Sequence, residues 1–413
     1  MQARVVACVR DLFQVAPAEH AQLLSRALQV YAYAFHAAAG SEVACDVEAE
    51  AVRTVRELCR LHPGQYLNWL ASCLETYGSS LYSRGMYEAA CDADAEAVDV
   101  IRELCRLHPG EHDADLTKYL QSYGASLHLR GMYEAACDTM VEAANITREL
   151  CRLHPGKHDA NLAHRLDECG DSFDYREMYE TACGAKAEAV NITRELCRLD
   201  PGEHDADLAN YLQSYGTSLH LQGMYEAACD ARVEAVNITR ELCRLHPKVH
   251  GADLANRLDE YGISLDYGQM YETACGAKAE AINIIRELCR LSQGNHAADL
   301  AGRLESYGIS LYARGMYKSA CDAELEAINI TRNLCRLHPG KYEAKFAHLL
   351  RSYSISLHSR KMYRTACDIC AEAVNVTREL CRMHPGEYQD ALACCLEEYD
   401  ILLHSKSGTI VYI

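Results

Sequence analysis

Residues 165–199 read RLDECGDSFDYREMYETACGAKAEAVNITRELCRL, and residues 257–291 read RLDEYGISLDYGQMYETACGAKAEAINIIRELCRL. The two stretches lie 92 residues apart and differ at few positions, which points to a recent duplication. A shorter period of 46 runs inside it. Cys59, Cys105, Cys151, Cys197, Cys243, Cys289, Cys335 and Cys381 fall on one phase. Cys45, Cys91, Cys137, Cys183, Cys229, Cys275, Cys321 and Cys367 fall on another. All eight prolines (17, 63, 109, 155, 201, 247, 339 and 385) share a third phase, which is interrupted by Gln293. Self-similarity at a fixed period marks a solenoid, in which each unit buries its apolar face against its neighbours.

Each repeat reads as two helices. In residues 113–158, Asp113 and Asp115 are placed to cap a helix start. Leu116, Leu120, Tyr123 and Leu127 then follow at helical spacing. Leu129-Arg130-Gly131 makes a tight turn. A longer helix begins at Met132, with Tyr133, Ala136, Val141, Ala144, Leu150 and Leu153 as its apolar stripe. Pro155-Gly156 stops the chain. No segment alternates with the period of a strand, so the fold class is all-α: an α-solenoid of tandem helix-turn-helix repeats. The phase divides the chain into a lone second helix (1–18), eight helix pairs (19–386), and a final first helix with a short tail (387–413). Neither end reads as a polar cap.

The charge narrows the function. Forty-one Lys and Arg oppose fifty-nine Asp and Glu, a net charge of −18. Nucleic acid and anionic membrane surfaces are both unfavourable partners for such a chain. No apolar run approaches the ~20 residues of a spanning helix. The opening MQARVVACVRDLFQVAP has no apolar core followed by a small-residue cleavage site, so a cytoplasmic chain is expected, with the nucleus as a second possible compartment.

The residues around the turn resemble the tetratricopeptide repeat. Tyr123-Gly124, Leu127, Gly131-x-Tyr133, Ala136 and Ala143 occupy that motif's places, as do Tyr77-Gly78, Gly85-x-Tyr87 and Ala90, and Tyr307-Gly308, Gly315-x-Tyr317 and Ala320. Two features depart from it. The period is 46 rather than ~34, and the second helix runs about three turns longer. The pattern is similar to the long-helix variety of kinesin light chains and of many fungal tandem arrays. The resemblance implies a right-handed superhelix that recognises proteins without catalysis. It also implies a concave groove lined by the first helices.

Carried over one position at a time, the partner-binding groove comprises Glu75 and Tyr82, then Gln121 and His128. Asp167, Glu168, Asp171, Asp174 and Tyr175 follow. Gln213 and His220 come next, then Asp259, Glu260, Asp266 and Tyr267. Glu305, Tyr312 and Arg351 complete it. These positions vary most between repeats, as a recognition surface requires; a solvated face drifting freely is the alternative. The middle of the groove is acidic, so a basic partner segment is expected there, with the tyrosines as anchors. The Lys, Arg and Asn side chains available on this face, Lys118, Asn210, Asn256 and Arg351, are too scattered to hold an acidic chain end.

Other chemistry reads weakly. Cys137 and Cys151 lie fourteen residues apart on one helix, ~21 Å at ~1.5 Å per residue, too far for a disulfide. Bridges between neighbouring repeats remain geometrically open. Small, soft core residues are the simpler account of the cysteines. Cys151, His154, His158 and Asp159, with their copy at Cys105, His108, His112 and Asp113, carry zinc-type ligands, yet other repeats lose them. The histidine before each proline then reads as a cap on the last carbonyls. Cys367 and Cys370 form a CxxC inside a helix, at a phase held elsewhere by Asp94, Lys186, Arg232 and Lys278. The Asn-Ile-Thr sequons fall mid-helix, as solvated or inter-repeat hydrogen-bonding sites. No catalytic motif is present, so no enzyme, metal or cofactor is expected. A protein-binding scaffold is the leading reading. A self-assembly module joined through open solenoid ends, or a sensor fragment of a larger NTPase-type signalling protein, is the second.

Overall fold

The structure, a computed structural model, describes residues 23–24, 26–27, 41–291 and 296–407. They form sixteen α-helices and no strand. In order these are α1 (Ser41–Leu61), α2 (Leu67–Ser83), α3 (Tyr87–Leu107), α4 (Asp113–Leu129), α5 (Tyr133–Leu153), α6 (Asp159–Tyr175) and α7 (Tyr179–Leu199). Then come α8 (Asp205–Leu221), α9 (Tyr225–Leu245), α10 (Pro247–Tyr267), α11 (Tyr271–Leu291) and α12 (Ala297–Ala313). The last are α13 (Tyr317–Leu337), α14 (Glu343–Ser359), α15 (Tyr363–Met383) and α16 (Gln389–Ser407). The fold is a tetratricopeptide-like helical array. The expected lone helix at 1–18, most of the first helix of the first pair, Gln293 and the tail beyond residue 407 lie outside the described residues.

The chain divides into two units, Met1–His204 with α1–α7 and Asp205–Ile413 with α8–α16. In each, a first helix packs on its own second helix, which packs on the next first helix. In the first unit, Leu70, Leu74 and Leu81 of α2 meet Ala90, Ala97, Val98 and Ile101 of α3, with Leu116 and Leu120 of α4 beyond. The second unit repeats this through Leu254 and Leu258, Ala281, Ile282 and Ile285, and Leu300 and Leu304. Leucine on the first helix opposes alanine on the second, so the backbones approach closely and each buried leucine contributes about 1.5–3 kcal/mol. Arginines of successive second helices reach the next repeat: Arg102 to Glu142 and Arg148 to Glu188, each 2.8 Å, and Arg240 to Glu280, 2.7 Å. These pairs are about two-fifths exposed, so each adds only about 0.2–1 kcal/mol.

Several expectations are corrected. Asp113 opens α4 instead of capping it. His112 holds the cap position, with no side-chain cap bond. The aspartates sit within the first turn and act on the helix dipole. The imidazole of His108 does not cap α3; its backbone N–H donates to the Leu104 carbonyl, and its ring edges onto His112. Leu153 is 68% exposed, because it ends α5 and nothing packs beyond it, while Thr139, Met140, Ala143 and Thr147 join the buried stripe. α10 starts at Pro247, several residues earlier than α4 or α6. Lys248 stands where the other repeats place a positive-φ glycine, so the backbone continues into a helix with proline at its first position. Each sequon asparagine resolved in a bond is intrahelical: Asn145 accepts from Arg148 and Asn237 from Arg240, both ladder arginines.

The short turn inside each pair is fixed by backbone bonds. After α4, the Gly131 N–H donates to the His128 carbonyl (2.9 Å) and the Met132 N–H to Leu127 (3.0 Å). This closure needs a left-handed residue, and Gly131 has φ +72°. Glu177, Gln269 and Lys361 adopt the same conformation with side chains, at φ 58°, 59° and 61°. An L-residue there is strained. Glu177→Gly and Lys361→Gly are each expected to raise stability by roughly 0.5–1 kcal/mol, read as a higher urea midpoint. A midpoint that falls for both would remove the strain argument.

Candidate functional site

The expected groove residues do lie along the first helices, but most are already engaged. Glu75 of α2 holds Lys118 of α4 at 2.8 Å. Gln121 donates to Glu168 of α6 (2.5 Å) and lies 3.0 Å from His164. Asp171 and Asp174 each meet Lys186 of α7 at 2.7 Å. In the second unit Gln213 bonds to Glu260, and Asp259 faces Arg303 at 3.4 Å. Asp266 meets Lys278 at 2.6 Å. Glu305 is bonded to Lys345 and, at 2.7 Å, to His348. Burial opposes its charge, yet His348 and Lys345 hold the Glu305 carboxyl below its ordinary range. Burial also pushes the Asp259 carboxyl up, against the pull of Arg303. Asp167 is likewise engaged. Variation on this face therefore reflects, in large part, matched pairs between adjacent first helices. The acidic middle is largely neutralised from within, which weakens its pull on a basic segment.

What remains open is aromatic. His128, Tyr133 and Tyr175 form one cluster. The His128 and Tyr175 rings meet edge-on at 4.3 Å, and Tyr133 stacks on Tyr175 at 5.7 Å. His220, Tyr225 and Tyr267 repeat it in the second unit, at 4.7 Å and 5.3 Å. Tyr175 is 62% and Tyr267 59% exposed. Burial, with Arg232 nearby, pushes the His220 imidazole down, so the ring is neutral at pH 7. Tyr82 rests edge-on against Tyr87, and Tyr312 against Tyr317 with its hydroxyl 2.9 Å from Ser359. Among the described residues Arg351 has no ion-pair partner.

One buried column lies outside the expected groove. Glu48, Asp94, Met140, Lys186, Arg232, Lys278, Glu324 and Cys370 share one phase of the second helix, and all are buried. Each from Asp94 to Glu324 lies over a first-helix glycine: Gly78, Gly124, Gly170, Gly216, Gly262 or Gly308. A Cβ on Gly170 would lie 2.5 Å from Lys186 Cγ. Where Cys370 is small, Ser354 stands in place of glycine, and its hydroxyl donates to the Arg351 carbonyl at 2.7 Å. A serine of the next first helix meets most of the polar members. Ser126 donates to Asp94 (2.5 Å), Arg232 to Ser264 (2.5 Å), Lys278 to Ser310 (2.8 Å) and Ser356 to Glu324 (3.0 Å). The legible signal was a variable polar residue sixteen positions after a recurring glycine.

Two carboxyls of this column, Asp94 and Glu324, meet no cation among the described residues. Burial pushes Asp94 up to about 6 and Glu324 up to about 7, against the relief given by their serines. Lys186 is different: burial acts against its charge, and Asp171 and Asp174 more than offset it. The zinc-like sets do not converge; among the described residues no three His, Cys, Asp or Glu side chains could hold a metal. Burial, with Asp113 and Asp159 alongside, pushes the Cys105 and Cys151 thiols up to about 11, where neither is a thiolate at neutral pH. No described helix is long and apolar enough to cross a membrane.

No family model and no curated protein matches the chain. Among solved structures it is similar to the apo form of RapI, with a TM-score of 0.53 and 16% identity over 94% of this chain and 100% of that one. BtubC (BKLC) from P. vanneervenii gives 0.48 at 16% identity, over 62% of this chain and 94% of that one. The nearly identical TPR-like repeats of a Podosopora anserina protein described as a kinesin light chain give 0.45 at 12%, over 56% and 100%. At such identities the likeness to RapI shows the fold alone.

Two outcomes follow from the buried column. The folded state binds the Glu324 proton more tightly than the unfolded chain, whose carboxyl titrates near 4.5. Stability is therefore lost as pH rises from about 4.5 through about 7. Glu324→Gln should gain on the order of 2–3 kcal/mol over the parent at pH 8 and close to nothing at pH 4.5, measured by urea unfolding at both. An equal difference at the two pH values would refute the assignment. Gly262→Ala should lower stability by about 1–3 kcal/mol, because its Cβ would meet Lys278 Cγ at 2.7 Å. An unchanged thermal midpoint would show that the lysine moves aside freely.

Proposed function

We propose that the chain is a non-catalytic protein-interaction scaffold, built on the helix pairs of residues 19–386. It takes a segment of a partner protein on the face of its first helices. The observation that carries this reading is the pair of exposed His-Tyr-Tyr clusters, one in each unit, 92 residues apart in sequence. Tyrosine supplies a large amphipathic contact at low entropic cost, and such residues anchor interfaces. A stacked tyrosine pair braced by a histidine ring is already ordered before binding, which reduces the cost of association. The paired carboxylates set the face's shape, and charge attraction for a basic segment is a minor contributor.

The fold supports the same reading, because repeats stacked on their neighbours present side chains at a regular spacing. The test is affinity capture from source cells, with the parent chain beside Tyr175→Ala/Tyr267→Ala. The double variant should keep its thermal midpoint within about 1 °C, since both side chains are exposed and surface changes are small. It should lose specific partners by tenfold or more. Partners retained in full by the double variant would move the site off these clusters.

A further inference from the structure

Between adjacent first helices of the second unit there is a space, and one residue of the later helix fills it. Arg257 of α10 donates to the Ala209 carbonyl and to Asn210, both at 2.6 Å. Arg303 of α12 reaches the Ala255 carbonyl at 3.1 Å and Asn256, with the Asp259 carboxylate alongside. Leu349 of α14 fills the next space and is fully buried. Cys395 of α16 is the residue of the same phase at the last one. Its short side chain leaves a cavity of about 250 Å³ between α14, α15 and α16. Ala344, Ala347, Leu380 and Ala391 make its walls apolar, while Arg351, His348 and Cys394 stand among them.

The polarity of this space is inverted. Arg351 occupies the phase at which Asp259 faces Arg303. Here an arginine stands in place of that carboxylate, and the guanidinium has no ion-pair partner among the described residues. His348 is held by Glu305 through Nδ1, so that carboxylate is already used. An occupant that completes the arrangement brings an apolar body for the cavity and one carboxylate for Arg351, bound bidentately. At about 30 Å³ per water-sized group, the space takes on the order of eight heavy atoms. We propose that this cavity binds a small aliphatic or aromatic monocarboxylate, with the carboxylate on Arg351 and the body against Leu380 and Ala391. The site is independent of the aromatic clusters, and its test reads no protein partner.

Hexanoate serves as the probe, titrated into the full chain by isothermal calorimetry, with hexanamide as its uncharged counterpart. Saturable binding of hexanoate is expected, with hexanamide at least tenfold weaker. Arg351→Met should weaken hexanoate by a similar factor, because a charge-assisted bond is lost. Cys395→Leu, which copies Leu349, should abolish binding by filling the space. Cys394 is the exposed cysteine among the described residues. Its alkylation, followed by peptide mapping, should slow in the presence of hexanoate while that of Cys381 stays unchanged. Absence of saturation up to about 10 mM, equal affinity for the amide, or undiminished binding by Arg351→Met would each overturn the proposal. The last two readings stand even where Cys395→Leu fails to fold.

Discussion

The structure depends on one close approach. A first-helix glycine lets the second helix of the same pair come near enough that the side chain sixteen residues later crosses directly over it. That side chain is then buried whatever its chemistry, as Lys186, Arg232, Glu324 and Met140 all show. The alanines at 0% exposure along the second helices, such as Ala90, Ala136 and Ala182, serve the same approach. A larger residue at either place would separate the pair and unseat the serine of the next repeat that receives the polar group. Local packing and inter-repeat adhesion are thus set by the same few atoms, as nearest-neighbour stabilisation requires.

Much of this was legible in the sequence, for physical reasons. The helices, their pairing and the turn follow from 46-residue periodicity, because a repeating fold shows its core positions again in every copy. Leu116, Leu120 and Leu127 were readable as core from spacing alone, and all three are buried. Legibility ended where a charged residue sits inside. Lys186 and Glu324 look like a variable solvated phase, since composition gives no sign that a glycine on another helix holds the space for them. The groove carboxylates failed in the opposite direction. Asp171, Asp259 and Asp266 look like a free acidic surface until Lys186, Arg303 and Lys278 are placed beside them.

Those two failures have a common origin. In a chain whose repeats are nearly identical, the residues that differ are read first as contacts with a partner. Here many are contacts between one repeat and the next, and they change together because each must suit its neighbour. Gln121 with Glu168, and Gln213 with Glu260, preserve one arrangement across the duplication. The aromatic clusters are also preserved across it, and Tyr175 and Tyr267 stay more than half exposed within them, so they are the better measure of what the face offers to another molecule.

The same neighbour matching guards the order of stacking. Near-identical repeats invite a slip by one unit, since apolar contacts alone would be almost as good in the shifted register. A slip in the first unit would set the Asp94 carboxylate beside Glu168, at the position from which Glu260 meets Arg232. Two carboxylates would then crowd one partly buried space, with Arg165 against Glu168 as the cation there, and their repulsion would oppose the shifted register. The native register instead gives Asp94 the hydroxyl of Ser126, and gives Lys278 the hydroxyl of Ser310. The buried charges cost stability, most visibly at Asp94 and Glu324. In return the polar identities differ from one junction to the next, which uniform leucine and alanine packing could not achieve.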